Sequence, residues 1–135
     1  MAGFDEKTKI LQKVALNIQA ITTDTTTAGT EIDTQGFEAL TFLFQAGTLT
    51  DGTYTPLVQE SDTSGSGYTN VVDADLIGTE AAAALDTSNT ASRIGYVGKK
   101  RYVKISLVST STSSGGTLGA IAVLGRPIKA ETDAS

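Results

Sequence analysis

Acidic side chains are the first candidates for chemistry in this sequence, because paired carboxylates can act as general acid and general base. Asp73 and Asp75 lie two residues apart, with Glu80 nearby. Asp5 and Glu6 are adjacent. Hydrolases need two carboxylates with different pKa values on either side of a cleft. No supporting motif residues accompany these pairs, so we interpret them as solvated or turn-capping side chains and predict no catalytic residue.

The chain of 135 residues contains neither histidine nor cysteine. This removes the commonest general base, the commonest metal ligand and all thiolate chemistry. Segments 61–67 and 71–80 offer oxygen ligands for a hard cation such as Ca²⁺, but neither has the spacing of a known calcium loop. We therefore predict no metal, no cofactor and no enzymatic activity.

A cluster of cations at Lys99, Lys100 and Arg101 is the second candidate for chemistry. It can be the solvated end of a hairpin, where lysines discourage edge-to-edge pairing of sheets. It can also be a docking patch for an acidic protein surface. Nucleic acid is disfavoured, because the net charge is −5 and three cations would release few counterions. We nominate the three residues as partner contacts.

The composition indicates which elements must position these side chains. Thr and Ser make up roughly a quarter of the chain, and there are 14 Gly but only 2 Pro. Thr is β-branched and favours a pleated, half-buried surface, while glycine suits tight turns. Both features indicate an all-β domain.

Alternating hydrophobicity supports this class. Val14, Leu16 and Ile18 are predicted to share one side of a half-buried strand. Segment 37–47 is apolar on both faces, which predicts a strand that is central or covered on both sides. Segment 99–110 is the clearest strand, with Val103, Ile105 and Leu107 on one face; the polar stretch 22–36 is a loop or an irregular edge segment.

Turn signals complete the predicted architecture. Asp51-Gly52 is typical of a two-residue hairpin turn, and the tract 111–116 is interpreted as a second hairpin loop. Pro56 predicts an edge strand or a bulge, because proline cannot donate to a ladder. About seven or eight strands at short intervals predict an antiparallel β-sandwich or a jelly-roll-like barrel. We divide the chain into a flexible arm (1–10), one β domain (11–128) and a frayed tail (129–135).

Targeting signals are not evident in the sequence. The first residues carry acidic side chains and no apolar core of the kind found in signal peptides. No stretch approaches the ~20 apolar residues of a membrane span. We expect a protein made in the cytoplasm, with neither membrane nor nucleic acid as a partner.

Four segments in a fixed order resemble small β-rich structural proteins of tailed bacteriophages. They are 50–71, 75–80, 93–108 and the strand that ends at 125–127, and the likeness extends over roughly 31–128. The family comprises head decoration (cement) proteins and head-fibre bases. The resemblance implies a homo-oligomer, expected to be a trimer, that binds the major capsid protein on the capsid surface of the virion and stabilises the shell; it implies no catalytic residues.

Two other functions remain open at this point. The chain can be a head-fibre base or a tail component of the virion. It can also be a carbohydrate-binding sandwich module, with Tyr54, Tyr68 and Tyr96 as the aromatic platform. Each of these tyrosines falls in a predicted strand, where core packing is the competing use.

The arm generates a prediction about capsid binding. Residues 1–10 can reach a neighbouring subunit at ~3.3 Å per extended residue, with Phe4 and Ile10 as apolar anchors. Deleting residues 1–10 should weaken binding to capsids, because the contact area that forms when the arm orders there is lost. Occupancy on capsids measures the effect, and unchanged occupancy would reject the role of the arm.

Overall fold

The computed structural model describes residues 11–127, which form two antiparallel β-sheets and a single 3-10 turn at Asp73–Asp75. The predicted arm and tail lie outside these residues. The ten strands within 11–127 are β1 Leu11–Ile21, β2 Thr26–Ala28, β3 Ile32–Asp33, β4 Phe37–Leu49, β5 Thr53–Ser61, β6 Thr69–Asn70, β7 Leu76–Ile77, β8 Ala91–Tyr96, β9 Tyr102–Thr110 and β10 Gly116–Pro127.

The strands are divided between a larger and a smaller sheet. The larger sheet has the order β1-β10-β4-β8-β7, and the smaller has the order β2-β9-β5-β6 with β3 also paired to β9. The predicted all-β sandwich is confirmed, and the sheets do not close into a barrel. Strands β2, β3, β6 and β7 have only two or three residues each, too short to show an alternating pattern in sequence.

The core lies between the two sheets. In β4, Phe42 and Phe44 are fully buried, and their rings lie 6.5 Å apart. From the smaller sheet, Val103, Ile105 and Leu107 of β9 are equally buried, as the alternation predicted. The central position of β4 is also confirmed, because it pairs with β10 on one side and β8 on the other. These two strands, β4 and β9, therefore supply the middle of the core.

Strand β1 departs from the predicted alternation. Leu16 is buried together with its neighbour Ala15, whereas Val14 is 53% exposed and Ile18 is 80% exposed. The pairing with β10 is irregular between Val14 and Leu16 and again between Leu16 and Gln19. An extra residue at such a bulge sends the following side chains to the opposite face. The prediction that Val14, Leu16 and Ile18 share one face is therefore wrong.

Both predicted hairpins are also wrong. Strands β4 and β5 belong to different sheets, so Asp51-Gly52 lies in a crossover rather than in a two-residue turn between paired strands. The tract 111–116 likewise joins β9 in the smaller sheet to β10 in the larger one. Gly52 does have the positive φ that the dipeptide predicted, at 94°. Local turn chemistry was thus recognised correctly, but not the strands that it connects.

The two crossovers are bound to each other through Asp51. Its carboxylate accepts hydrogen bonds from the backbone N–H groups of Ser113 at 2.9 Å, Ser114 at 3.1 Å and Gly115 at 2.9 Å. Consecutive N–H groups of this kind form a concave anion site, which here holds a carboxylate of the same chain. These bonds lower the pKa of Asp51. The carboxylate therefore closes this end of the sandwich.

Replacing Asp51 by Asn should reduce stability at neutral pH, because a charged acceptor for three N–H groups is lost. The folded state lowers the pKa of Asp51 below its ordinary value of 3.8, so its contribution is present above that pH and is lost as the pH falls further. Urea unfolding at pH 7 and pH 3 should show a difference from wild type that shrinks at the lower pH. The exposed Asp73, changed to Asn, is the control, and equal stability of Asp51→Asn and wild type at pH 7 would contradict the role.

Candidate protein-contact site

We call the segment 97–101 between β8 and β9, which contains Lys99, Lys100 and Arg101, the basic turn. The two ends of the described chain lie at the same end of the sandwich as this turn. Pro127, at the end of β10, pairs with Phe37, and Leu11 begins β1 on the other side of β10. Thr34 lies just before Phe37, and its backbone N–H donates to the carbonyl of Arg101 at 2.9 Å. The chain therefore continues in both directions from the end where the basic turn is located. We call this the terminal end, and the one closed by Asp51 the closed end.

The basic turn is held in place by a buried tyrosine. The hydroxyl of Tyr96 accepts a hydrogen bond from the backbone N–H of Lys100 at 3.1 Å and donates one to the Glu60 carboxylate at 2.7 Å. Burial of Tyr96, together with the bond to Glu60, raises the pKa of its hydroxyl well above the ordinary value of 10.0. The turn after β8 thus has a fixed position over the rim of the core.

Two of the three predicted cations form ion pairs. The guanidinium of Arg101 donates two hydrogen bonds of 2.8 Å to the carboxylate of Asp33, and Lys100 Nζ lies 2.7 Å from Asp62. The bond from Arg101 is the main reason why the pKa of Asp33 is lowered to about 2. Lys99 is exposed and has no ion pair within residues 11–127. The turn therefore presents one free charge and two balanced ones.

These contacts decide how the sequence predictions apply. The basic turn joins β8 in the larger sheet to β9 in the smaller one, so it is not the end of a hairpin. The structure does bring Lys99, Lys100 and Arg101 together, and a docking patch remains a prediction. The other two nominated contacts, Phe4 and Ile10, lie outside the described residues.

A second polar network at the terminal end was not predicted. Glu31 accepts hydrogen bonds from Ser64 Oγ at 2.7 Å, from the Gly65 N–H at 2.7 Å and from the hydroxyl of Tyr68. The ammonium of Lys104 lies 4.4 Å from the centre of the Tyr68 ring. The hydrogen bonds lower the pKa of Glu31. The network connects the loop after β5 to the segment between β2 and β3. Glu31 is more than 30 residues away from each of its partners in the sequence, and no sequence motif links them.

The described residues form neither an exposed tyrosine platform for a sugar nor a cluster of acidic side chains for a metal ion. Tyr54 and Tyr96 are 0% and 4% exposed, so neither can stack on a sugar ring, and the Tyr68 hydroxyl is occupied by Glu31. No group of three or more acidic side chains within residues 11–127 is arranged to hold a metal ion. The same part of the chain contains no helix long and apolar enough to cross a membrane.

The outer face of the larger sheet is a second surface of interest. The second face of β4, which the sequence predicted to be apolar, points away from the smaller sheet, and its residues Ala39, Thr41 and Leu43 are half-buried or exposed. Leu43 of β4 is 41% exposed and Ile121 of β10 is 45% exposed, beside the outward-facing Val14 and Ile18 of β1. These four aliphatic side chains border an open groove of about 800 Å³.

No protein-family model matches the chain, and no curated protein matches it in sequence. The solved structures that share part of its chain path include the following three. The SPBc2 prophage-derived protein YomS is 15% identical, with a TM-score of 0.49 over 87% of this chain and 93% of YomS. A structure of Bacillus endospore appendages, described as disulfide-linked pili, is 8% identical, with a TM-score of 0.44 over 87% of this chain and 88% of that one. A chain of infectious bursal disease virus, Gx strain, is 11% identical, with a TM-score of 0.45 over 86% of this chain and 32% of that one.

The ion pair at the terminal end can be tested by titration. Replacing Arg101 by Gln should raise the pKa of Asp33 from about 2 toward its ordinary value of 3.8, because the main group that stabilises the carboxylate is removed. Carboxyl ¹³C chemical shifts followed against pH by NMR report this pKa directly. Lys100→Gln, which breaks the pair with Asp62 instead, should leave the pKa of Asp33 nearly unchanged. An unaltered Asp33 titration in Arg101→Gln would show that the pair does not form in solution.

Proposed function

We propose that this protein is a structural component of a phage virion that binds the outside of the assembled capsid as a homo-oligomer. Its partner is the major capsid protein, and its role is to stabilise the shell rather than to transform a substrate. The resemblance of segments within 31–128 to phage decoration proteins supports this class of function. The observation that carries the proposal is the convergence of both chain ends and the basic turn at one end of the sandwich.

The two ends of the sandwich suit different tasks. At the closed end, Asp51 satisfies the backbone N–H groups of 113–115, so the polar groups of that loop are already engaged within the chain. At the terminal end, Lys99 is exposed and the chain extends beyond Leu11 and Pro127. A protein mounted on a larger surface by one end would place this end against that surface. The extensions could then add contact area on binding.

The charges of the basic turn attract an acidic partner only weakly, because two of its three cations are already paired with carboxylates. Lys100 and Arg101 are balanced by carboxylates, and exposed pairs of this kind are worth about 0–1 kcal/mol each. Lys99 is therefore the cation of this turn best placed to attract an acidic surface. Such an exposed charge contributes mainly to the rate and orientation of binding. The larger part of the affinity would come from the chain extensions and from the simultaneous binding of neighbouring capsid subunits by one oligomer.

Stabilisation of the shell then follows from mass action. A protein that binds the assembled capsid, and not its separated subunits, shifts the equilibrium toward the assembled state. This requires a rigid body with fixed contact points rather than a reactive pocket. The polar networks that fix the basic turn and the loop after β5 give the terminal end that rigidity.

Binding to capsids tests the proposal. The protein should bind capsids that lack it, and Lys99→Gln should weaken that binding about two- to fivefold at low salt. The difference should shrink at high salt, where exposed charges are screened. Thr87→Glu is the matched control, because it also lowers the net charge by one but lies exposed near the closed end.

Three outcomes of the binding experiment have distinct meanings. Weaker binding of Lys99→Gln with normal binding of Thr87→Glu supports the proposed orientation. Equal weakening of both variants contradicts the orientation, because it reports total charge alone. Binding to tails or fibre components, with none to capsids, would overturn capsid decoration in favour of another virion part.

A further inference from the structure

We infer that the outer face of the larger sheet is an interface at which two copies of this chain pack face to face about a two-fold axis. The pairing specifies how the homo-oligomer proposed above is built, and to that extent it rests on the proposed function. Its evidence, however, comes from the sheet itself and does not involve capsids.

The exposed aliphatic side chains of this face form a contiguous surface. Val14 of β1 lies opposite Ile121 of β10, Ile121 lies opposite Leu43 of β4, and Leu43 lies opposite Arg93 of β8. The exposed fractions of the first three are 53%, 45% and 41%. Side chains directly opposite each other on one face of a sheet are in contact range. Adjoining exposed aliphatic side chains rimmed by polar residues are typical of protein interaction sites.

The face carries almost no charge. Arg93, at the end of the row, is its one charged side chain among the described residues, in a chain with 25 charged residues (10 basic and 15 acidic). Depletion of charge and enrichment of apolar side chains is the composition found at the centre of protein interfaces. A basic or acidic partner would need complementary charges here. A second copy brings the same nearly uncharged surface, so the contact buries no charged side chain from the row other than Arg93 at its end.

The relief of the face can be matched by a second copy of the same face. The row Val14, Ile121 and Leu43 forms a ridge across three strands. The next row consists of Gly119, Gln45 and Ala91, and the small residues Gly119 and Ala91 leave it lower on either side of the Gln45 side chain. A two-fold axis that lies in the interface, parallel to these rows and between them, places the ridge of each copy over the groove of the other. Such an isologous contact uses the same patch twice, which an unrelated partner has no reason to match.

Glycine at position 119 is needed for this relief. Ile18 of β1 bulges over it, and a Cβ atom at Gly119 would come within 2.8 Å of the Ile18 side chain. The close approach lets Ile18 form one wall of the groove while remaining 80% exposed. The bulges in β1 that upset the predicted alternation are therefore the feature that builds this wall.

The area of the face is sufficient for a stable pair. Strands β1, β10, β4 and β8 have 11, 12, 13 and 6 residues, and at about 4.8 Å between strands and about 3.4 Å per residue they make a surface of roughly 700 Å² per copy. This is close to the area of about 800 Å² that each partner contributes to a standard specific interface. Edge-to-edge pairing is less favourable, because the exposed edge strand β1 is bulged and carries Lys13.

A two-fold pair differs from the trimer expected from the resemblance, and a measured mass separates the two. The full-length protein should sediment as a dimer, with no trimer. Replacing Val14 by Glu should raise the dimer Kd by about a hundredfold or more, because the contact buries the new charge without a partner, twice in each pair. Val72→Glu is the matched control: the residue type and substitution are the same, and Val72 is 61% exposed but lies outside the sheet.

Sedimentation over a range of concentrations measures the dimer Kd of the wild type and of each variant. Circular dichroism establishes that Val14→Glu and Val72→Glu fold. A wild-type dimer that Val14→Glu dissociates and Val72→Glu leaves intact supports the interface. If Val14→Glu fails to fold, Ile18→Glu replaces it, since Ile18 is the most exposed of the four side chains. The proposed interface would be overturned if the wild type were a monomer or a trimer. It would also be overturned if the wild type were a dimer that neither Val14→Glu nor Ile18→Glu dissociates.

The pairing and the proposed function fail separately. A trimer that decorates capsids would refute the pairing alone. A dimer that binds no capsid would refute capsid decoration and leave the interface standing.

Discussion

A two-layer sandwich buries only one face of each sheet, and the larger sheet here is apolar on both. Phe42 and Phe44 fill the buried side of β4, while Leu43 between them faces outward. The same holds for β10, where Ala120 and Ala122 are buried and Ile121 is not. Because side chains alternate along a strand, no rotation of the sheet can bury both sets against the smaller sheet. The surplus apolar face must be covered by something else or remain in water.

This constraint gives the molecule distinct surfaces. The buried face holds the sheets together, the outer face of the larger sheet is available for a second copy, and the ends of the sandwich are polar. At the closed end, one carboxylate satisfies three backbone N–H groups. At the terminal end, carboxylates pair with Arg101, Lys100 and Tyr68 to hold loops that the sheets alone would not order. In the proposed assembly, self-association and attachment to a capsid would therefore use separate parts of the chain and would not compete.

Local patterns in the sequence were enough to predict the fold class. Alternation in β4 and β9 assigned the side chains of each strand to its two faces correctly, because a regular strand repeats every two residues. The same reasoning failed in β1, where bulges shift the repeat and send Val14 and Ile18 outward. Turn chemistry identified the positive φ of Gly52, but an Asp-Gly pair has the same preference whether the flanking strands pair with each other or cross to different sheets.

The contact site was predictable only in part. The cluster Lys99–Arg101 is visible as a run of charges, yet its acidic partners lie far away in sequence: Asp33 is 68 residues from Arg101, and Asp62 is 38 residues from Lys100. Composition alone does not reveal such pairs, since they depend on the order of strands. The apolar second face of β4 was recognised, but whether it is buried or open depends on how many layers the domain has.

The central claim is that the outer face of the larger sheet is covered when the protein is assembled. Hydroxyl-radical footprinting of the full-length protein, read by mass spectrometry, measures side-chain accessibility at dilute and at high concentration. The account predicts that Val14, Ile18 and Leu43 become protected at high concentration while Val72 and Val97 remain reactive. Equal reactivity of both groups at every concentration would contradict it.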